Sequence, residues 1–328
     1  IGGLLVFALG SVVAAQAETI HMVILGRALQ GAGAIAAAIM ALVADLTREQ
    51  HRIKAMALIG MSIGMSFALA MVLGPVLDRW VGVPGIFWIT AVLALAGILV
   101  VGFVVPRPPL ARMHREAEAV PAQFGRVLRN PDLLRLDFGI LVLHMVLTAS
   151  FVVLPLVLRD QAGLDAASHW QVYLPVLVGS VLAMLPFIIL AERKGRIKPV
   201  FLGAVALLVV AEAGLFLISP TLMHVVFLLF VFFVAFNLLE AMLPSLISRV
   251  APVDCRGTAM GVYSSSQFLG AFLGGALGGL VHGRFGMQAV FLFAALALLA
   301  WLVVALSMRV PRKLSNHIHR IGAVGPDG

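Results

Sequence analysis

Charge is scarce in this sequence. Lys, Arg, Asp and Glu make up 12% of 328 residues, against about 25% in a soluble domain. So few ions cannot clothe a water-facing surface, which excludes a soluble globular fold. Cysteine occurs once, as Cys255, so an internal disulfide or a cysteine metal cage is excluded. Cys255 reads as a bystander near a helix end. The strand signature of an outer-membrane barrel, alternating polar and apolar residues over about 10 positions, is missing too. The first seventeen residues are already apolar, with neither a charged leader nor a small-residue cleavage site, and do not read as a signal peptide. The initial methionine is absent, and the chain reads as one that starts late.

What is there is lipid-like. Hydrophobic residues reach 62% and the mean hydropathy is +1.08. A spanning helix needs about 20 largely apolar residues, and ten stretches qualify: 1–17, 20–44, 54–77, 84–105, 136–158, 170–191, 199–218, 222–247, 257–281 and 287–308. The expected fold is all-α and polytopic, with the bilayer as its solvent. The net charge of +8 would suggest nucleic acid only if it clustered on a polar domain. Here the basic residues sit in short loops. Nineteen of the 23 fall on one side of the ten spans, three (Arg79, Arg159, Arg284) on the other, and Arg27 lies within a span. The positive-inside rule then puts both ends of the chain in the cytoplasm. The expected organisation is a bundle over 1–105, a cytoplasmic linker over 106–135, a six-helix bundle over 136–308 and a cytoplasmic tail over 309–328. Within the linker, RVLRNPDLLRL has helical apolar spacing suited to lying along the membrane surface.

Shifting the chain by 204 positions aligns Arg52 with Arg256, Ala55 with Ala259, Met56 with Met260, Gly74 with Gly278, Gly82 with Gly286, Phe87 with Phe291 and Ala91 with Ala295. The matched helices enter from the same side, so the repeat is parallel, about an axis along the membrane normal. Repeats of this kind are typical of secondary transporters. Four spans precede the linker and six follow it, so the chain reads as a twelve-helix protein without its first two helices.

The polar residues inside the spans then stand out, because a charge at the bilayer centre costs at least about 2.5–3.5 kcal/mol. Arg27 and Gln30 share a face of the second span. Arg27 lies roughly 10 Å from that span's outer end, too deep for easy snorkelling. It must turn to a protein partner or a watered cavity, and a structural bond to the first helix is the plainer alternative. Glu240 sits in NLLEAM with Asn237 three residues earlier on the same face. It is the best candidate for a carboxylate that carries a proton, against the alternative of pairing with a neighbouring helix. Glu212, nearer the outer interface, is expected to reach water. His144, in LVLHMVL, titrates near neutrality, though a lone histidine on an apolar helix is more often a packed donor. Neither it nor any neighbour has metal-ligand spacing. Gln267, with Tyr263 four residues earlier, suits a cavity wall. Gly31, Gly33, Gly60, Gly64, Gly274 and Gly278 are read as close-packing surfaces, and Gly74-Pro75 as a bend in its helix.

These motifs resemble the major facilitator superfamily, in its proton-linked drug-efflux branch. GRALQGAGA (26–34) resembles that branch's fourth-helix motif, and Gly60, Gly64 and Gly74-Pro75 resemble its antiporter motif. AERKGRIK (191–198) resembles the second-half cytoplasmic loop signature, carried by Glu192, Arg193, Gly195 and Arg196. ALQGAGAIAAAIMALVADLTREQ, AMVLGP, VAFNLLEAMLPSLIS and GTAMGVYSSSQFLG together resemble YajR-type efflux transporters, from about residue 1 to 310. The resemblance implies a two-bundle fold with ten of twelve helices present and a role for Arg27 in proton coupling, and Gln30, Asn237, Tyr263 and Gln267 are read as lining a substrate cavity. The chain departs from the pattern in three ways. The first two helices and the first loop signature are absent. Val76-Leu77-Asp78-Arg79 ends the antiporter motif where a second glycine pair is expected, with Ala70 replacing an earlier glycine. YajR-type proteins carry a soluble C-terminal domain, whereas the sequence given stops at Gly328 after a short basic tail.

The expected function is proton-coupled efflux of small amphipathic compounds by alternating access, powered by the proton gradient without a cofactor or metal. The expected partners are the bilayer, the substrate and protons, with no nucleic acid, and the chain is read as a monomer in the cell's inner membrane. The alternative is a non-transporting fragment or membrane sensor. An enzyme is not expected, since SSSQ (264–267) has no adjacent His or Asp to serve as a base.

Overall fold

A computed structural model describes residues 1–33, 39, 42–43, 46, 49–106, 121–193, 195–217, 221–252 and 255–308. For 49–61, 63–64, 67–68, 71, 121–122 and 192–193 it describes the backbone alone. Among the described residues every regular element is helical: α1 Gly2–Ala15, α2 Ile20–Ala32, α3 Glu49–Phe103, α4 Pro121–Val127, α5 Pro131–Asp160, α6 Trp170–Arg193, α7 Ile197–Leu217, α8 Leu222–Val250, α9 Arg256–Phe285 and α10 Met287–Leu306. A 3₁₀ turn, Ala166–Ser168, precedes α6. The protein is thus all-α, and each of the ten expected stretches carries a helix or part of α3.

Six described segments are long and apolar enough to cross a membrane: Val72–Phe103, Pro131–Asp160, Ala166–Ala191, Ile197–Leu217, Leu222–Val250 and Met287–Leu306. The helix α9 has 30 residues but its hydropathy is diluted by serine and glycine. Large apolar side chains face outward along these helices. Phe103 is 86% exposed, Trp80 80% and Leu217 75%, a surface that lipid solvates and water does not.

The helices fall into two compact units, Ile1–Glu118 and Ala119–Gly328. In the first, α1 packs on α2 and α3. Glycines permit the α1–α2 crossing: a Cβ on Gly10 would stand 2.6 Å from the Gly26 carbonyl oxygen, and one on Gly33 2.5 Å from that of Gly3. Thr19 caps α2 by accepting the Met22 amide at 3.4 Å. The α3 run spans 55 residues but is two helices. Its one non-helical residue is Gly82, with φ 67 and ψ 175, in a region only glycine populates. Gly286, its partner under the shift of 204, has φ 85 and ψ 176 and separates α9 from α10. The repeat therefore reproduces a backbone conformation as well as a residue type. The backbone stays helical through Gly74-Pro75, and the break comes at Gly82.

In the second unit α5 packs against α8, α9 and α10, α7 against α8 and α10, and α6 against α8. Pro131 at the first turn of α5 and Asn130, whose side chain accepts the Asp132 and Leu133 amides, fix where α5 starts. That start corrects the surface-helix reading of RVLRNPDLLRL. The segment comprises the end of α4, a capped turn and the first turns of α5, and its Val127, Leu133 and Leu136 are buried in the unit. Trp301 of α10 lies against Gly139, where a Cβ would stand 2.8 Å from the indole nitrogen. The Trp301 ring meets Phe201 edge-on at 5.9 Å. The closest contact joins α5 and α9. A Cβ on Gly270, Gly274 or Gly278 would run into the backbone of Leu141, Met145 or Ala149 respectively. The constant offset of these pairs makes α5 and α9 parallel neighbours in fixed register.

Candidate polar site in the second unit

Three side chains from three helices meet inside this apolar unit. Gln267 of α9 holds its Nε2 at 2.8 Å from His144 Nε2 on α5 and at 3.2 Å from Glu240 Oε1 on α8. His144 Nε2 is itself 3.9 Å from Glu240 Oε2. The other imidazole nitrogen, Nδ1, lies 3.3 Å from the Ile140 carbonyl one turn earlier. That carbonyl can only accept, so Nδ1 carries the proton and Nε2 accepts from Gln267. The carboxamide thus donates one hydrogen to the imidazole and one to the carboxylate. If His144 also bound a proton at Nε2, Gln267 would have to turn its oxygen toward it. The arrangement can change its proton count only by changing its hydrogen bonds. The Phe236 ring, 5.8 Å from the imidazole, walls the cluster on the α8 side.

Around this centre, Asn237 donates to Ser180 Oγ on α6 at 3.0 Å, and Ser180 donates to the Leu177 carbonyl at 2.9 Å. Asn237 therefore ties α8 to α6 one turn before Glu240. Tyr263 is buried with its hydroxyl unpartnered among the described residues, and it interacts electrostatically with Glu240.

Glu212 is a correction. It is fully buried rather than reaching water, because α7 is packed between α8 and α10 and Ser150 of α5 donates to its Oε1 at 2.8 Å. Several buried polar residues do not stand out in the sequence, Asp137 and Ser11 among them. Asp137 of α5 is buried with both oxygens unpartnered among the described residues. Ser11 of α1 is buried in the first unit.

In that first unit Arg27 Nη1 donates to Gln30 Oε1 at 2.7 Å, Gln30 Nε2 donates to Ser11 Oγ at 2.7 Å, and Ser11 donates to the Phe7 carbonyl at 2.9 Å. Gln30 is buried at the α1–α2 crossing, so it braces two helices, while Arg27 stays exposed at the head of the relay. The glycines divide by face. Gly33, Gly274 and Gly278 stand where a Cβ would collide, whereas Gly31 and Gly74 have nothing within 4 Å of that point. The surroundings of Gly60, Gly64, Glu192 and Arg193 lie outside the described side chains. Gly195, with φ 63, turns the chain between α6 and α7, and Arg196 beside it is exposed. Cys255 is free and buried. Among the described residues no group of three His, Cys, Asp or Glu is placed to hold a metal ion.

With this geometry in hand, similarities to known proteins become informative. A sequence profile of the Major Facilitator Superfamily matches residues 1–275 and 169–323. Over 316 residues the chain is 51% identical to the inner membrane transport protein YajR of Escherichia coli (strain K12), covering 96% of this chain and 69% of that protein. Among solved structures, the human organic anion transporter MFSD10 (TETRAN) superposes with a TM-score of 0.64 at 20% identity, over 92% of this chain and 75% of that one. A bacterial homolog of the human lysosomal transporter Spinster, inward-facing and occupied, gives a TM-score of 0.65 at 13% identity, over 96% and 83%. At those identities the two structures speak for the fold alone.

Proposed function

The chain belongs to the major facilitator superfamily of membrane transporters, and on that premise we propose that it is a secondary transporter coupling proton movement to efflux of small amphipathic compounds. The observation that carries this reading is the His144–Gln267–Glu240 contact. It is a basic and an acidic group held by one amide, each able to take a proton, inside a unit whose outer face is apolar. Ionisable groups at such depth are expensive and mark ion or substrate pathways.

In this proposal Glu240 carries the proton, His144 senses its occupancy, and Gln267 reorients as the proton comes and goes. Asn237 and Tyr263 line the substrate's route beside them. Arg27, held by Gln30 and Ser11, supplies a fixed positive charge in the first unit that responds to proton occupancy. Access alternates between the two sides of the membrane. The likeness to an inner membrane transport protein of Escherichia coli supports an inner-membrane location. The loop charge asymmetry supports both ends being cytoplasmic.

The test is ethidium efflux from vesicles containing the purified protein. An imposed proton gradient should accelerate efflux at least tenfold, and a protonophore should abolish that gain. Equal flux with and without the gradient would defeat the coupling, and no flux of ethidium or of other lipophilic cations would defeat efflux of this substrate class. Arg27→Ala should lose the gradient-driven flux while still inserting in the membrane.

A further inference from the structure

Polar atoms are buried without partners on one side of the His144–Gln267–Glu240 contact. Asp137 is 5% exposed and Tyr263 4%. Both Asp137 oxygens, the Tyr263 hydroxyl and Glu240 Oε2 lack a hydrogen-bond partner among the described residues. Buried polar groups are otherwise almost always paired; these four, on three packed helices, are among nine such atoms described in the unit and need an explanation.

The register of α5 on α9 places them. Leu141, Met145 and Ala149 lie against Gly270, Gly274 and Gly278. One turn earlier on the same contact line, Asp137 comes opposite Ser266, and Tyr263 follows less than a turn beyond. Tyr263 interacts electrostatically with Asp137 and with Glu240, and its hydroxyl hydrogen-bonds neither. Asp137 precedes His144 by seven residues, two turns on one helix face. The polar groups therefore run from the His144–Gln267–Glu240 contact toward the N-terminal end of α5, with Tyr263 electrostatically coupled to both acids.

The charged and titratable groups near this run are few. His144 is on α5 itself, Glu240 on α8 and Tyr263 on α9, while α10 offers none along Met287–Leu306. Arg135 is paired with Asp132 at 2.6 Å, Arg126 and Arg129 are exposed on and just after α4, which packs on α9, and Arg249 and Arg256 are exposed at helix ends. No cation pairs with Asp137 among the described residues. An ionised carboxylate so placed is costly, so Asp137 is stable there as the neutral acid and ionises when water or a donor reaches it.

We propose that Asp137 is a second proton-binding station, linked through Tyr263 to Glu240, on the path between the three-residue cluster and the end of the unit where α5 begins. The station rests on the proton-coupled reading above and gives that reading a route. In the transfer, the Glu240 carboxylic acid gives its proton to the Tyr263 oxygen as the Tyr263 O–H proton passes to an Asp137 carboxylate oxygen. The phenol is neutral before and after, one negative charge moves from Asp137 to Glu240, and only O–H bonds break and form. Where the oxygens do not touch, bridging water carries the same hop.

Infrared difference spectroscopy on the purified protein in proteoliposomes tests this, because a protonated carboxyl has a distinct C=O stretch. Titration should reveal distinct bands of this kind, with Asp137→Asn removing one and Glu240→Gln another, apart from any band of the buried Glu212. Tyr263→Phe should keep both but slow hydrogen–deuterium exchange of the Asp137 band at least tenfold. A spectrum unchanged by Asp137→Asn overturns the station, and unchanged exchange in Tyr263→Phe overturns the link. If Asp137→Asn does not fold, Asp137→Glu decides: a shifted band upholds the assignment and an unshifted one refutes it. Ethidium efflux indifferent to the gradient would defeat the coupled reading on its own, and the spectra would still show whether Asp137 binds a proton.

Discussion

At the residue scale the account turns on Gln267, because one carboxamide joins the only base and the nearest acid of the cluster. Replacing it with leucine removes both donors, each a hydrogen bond of about 1–3 kcal/mol when the partner can be charged. Gln267→Leu should lower gradient-driven ethidium efflux at least tenfold while circular dichroism stays unchanged; retained efflux would show the amide to be dispensable. His144, Glu240 and Gln267 were each legible in the sequence as isolated polar residues in apolar helices, since such residues are too costly to stand there idle. Their pairing was not legible, because it depends on which faces of α5, α8 and α9 meet. Asp137 does not stand out in the sequence for a specific reason. The apolar pattern sets the span to begin at 136, where an acid is ordinary, whereas Asn130 and Pro131 start α5 earlier and carry Asp137 nearly two turns inside. Glu212 misled in the opposite sense. Its position near a helix end suggested water, and only the packing of α7 against its neighbours reveals Ser150 as its partner.

At the scale of helices, glycine governs where elements touch and where they stop. Gly274→Leu should force α9 off α5 and abolish a monodisperse elution profile, because its Cβ would enter the Met145 backbone. Gly279→Leu is the matched control, since nothing lies within 4 Å of its Cβ position, and it should behave as wild type. Gly286→Ala should destabilise the second unit by about 1–3 kcal/mol, the cost of a side chain in that glycine-only backbone region. Thermal unfolding in detergent measures it, and an unchanged midpoint would contradict the assignment. The sequence showed that glycines pack here, but not which ones. Gly274 and Gly278 face α5 while Gly31 and Gly74 have nothing within 4 Å of a Cβ among the described residues, a distinction set by register and invisible to composition. The repeat was the more reliable guide, since it paired Gly82 with Gly286 and the two share a backbone conformation.

For the whole molecule, composition alone implied the membrane, and the arginine and lysine count implied its direction. In a Cys255→Ala background, an impermeant maleimide applied to intact spheroplasts should label Gly283→Cys and spare Ser315→Cys. The reverse pattern would invert the topology. The class of compound exported is the part no helix pattern encodes, because selectivity depends on the shape of a cavity rather than on the elements that surround it. The central claim is narrower and more exposed: the few ionisable groups inside this lipid-solvated protein are there to move protons. It is tested most directly by following internal pH with a trapped dye while an ethidium gradient is imposed across vesicles holding the purified protein. Protons should move against the ethidium flow in wild type and not in Glu240→Gln; ethidium crossing with no proton movement, or the same proton movement in both, would contradict it.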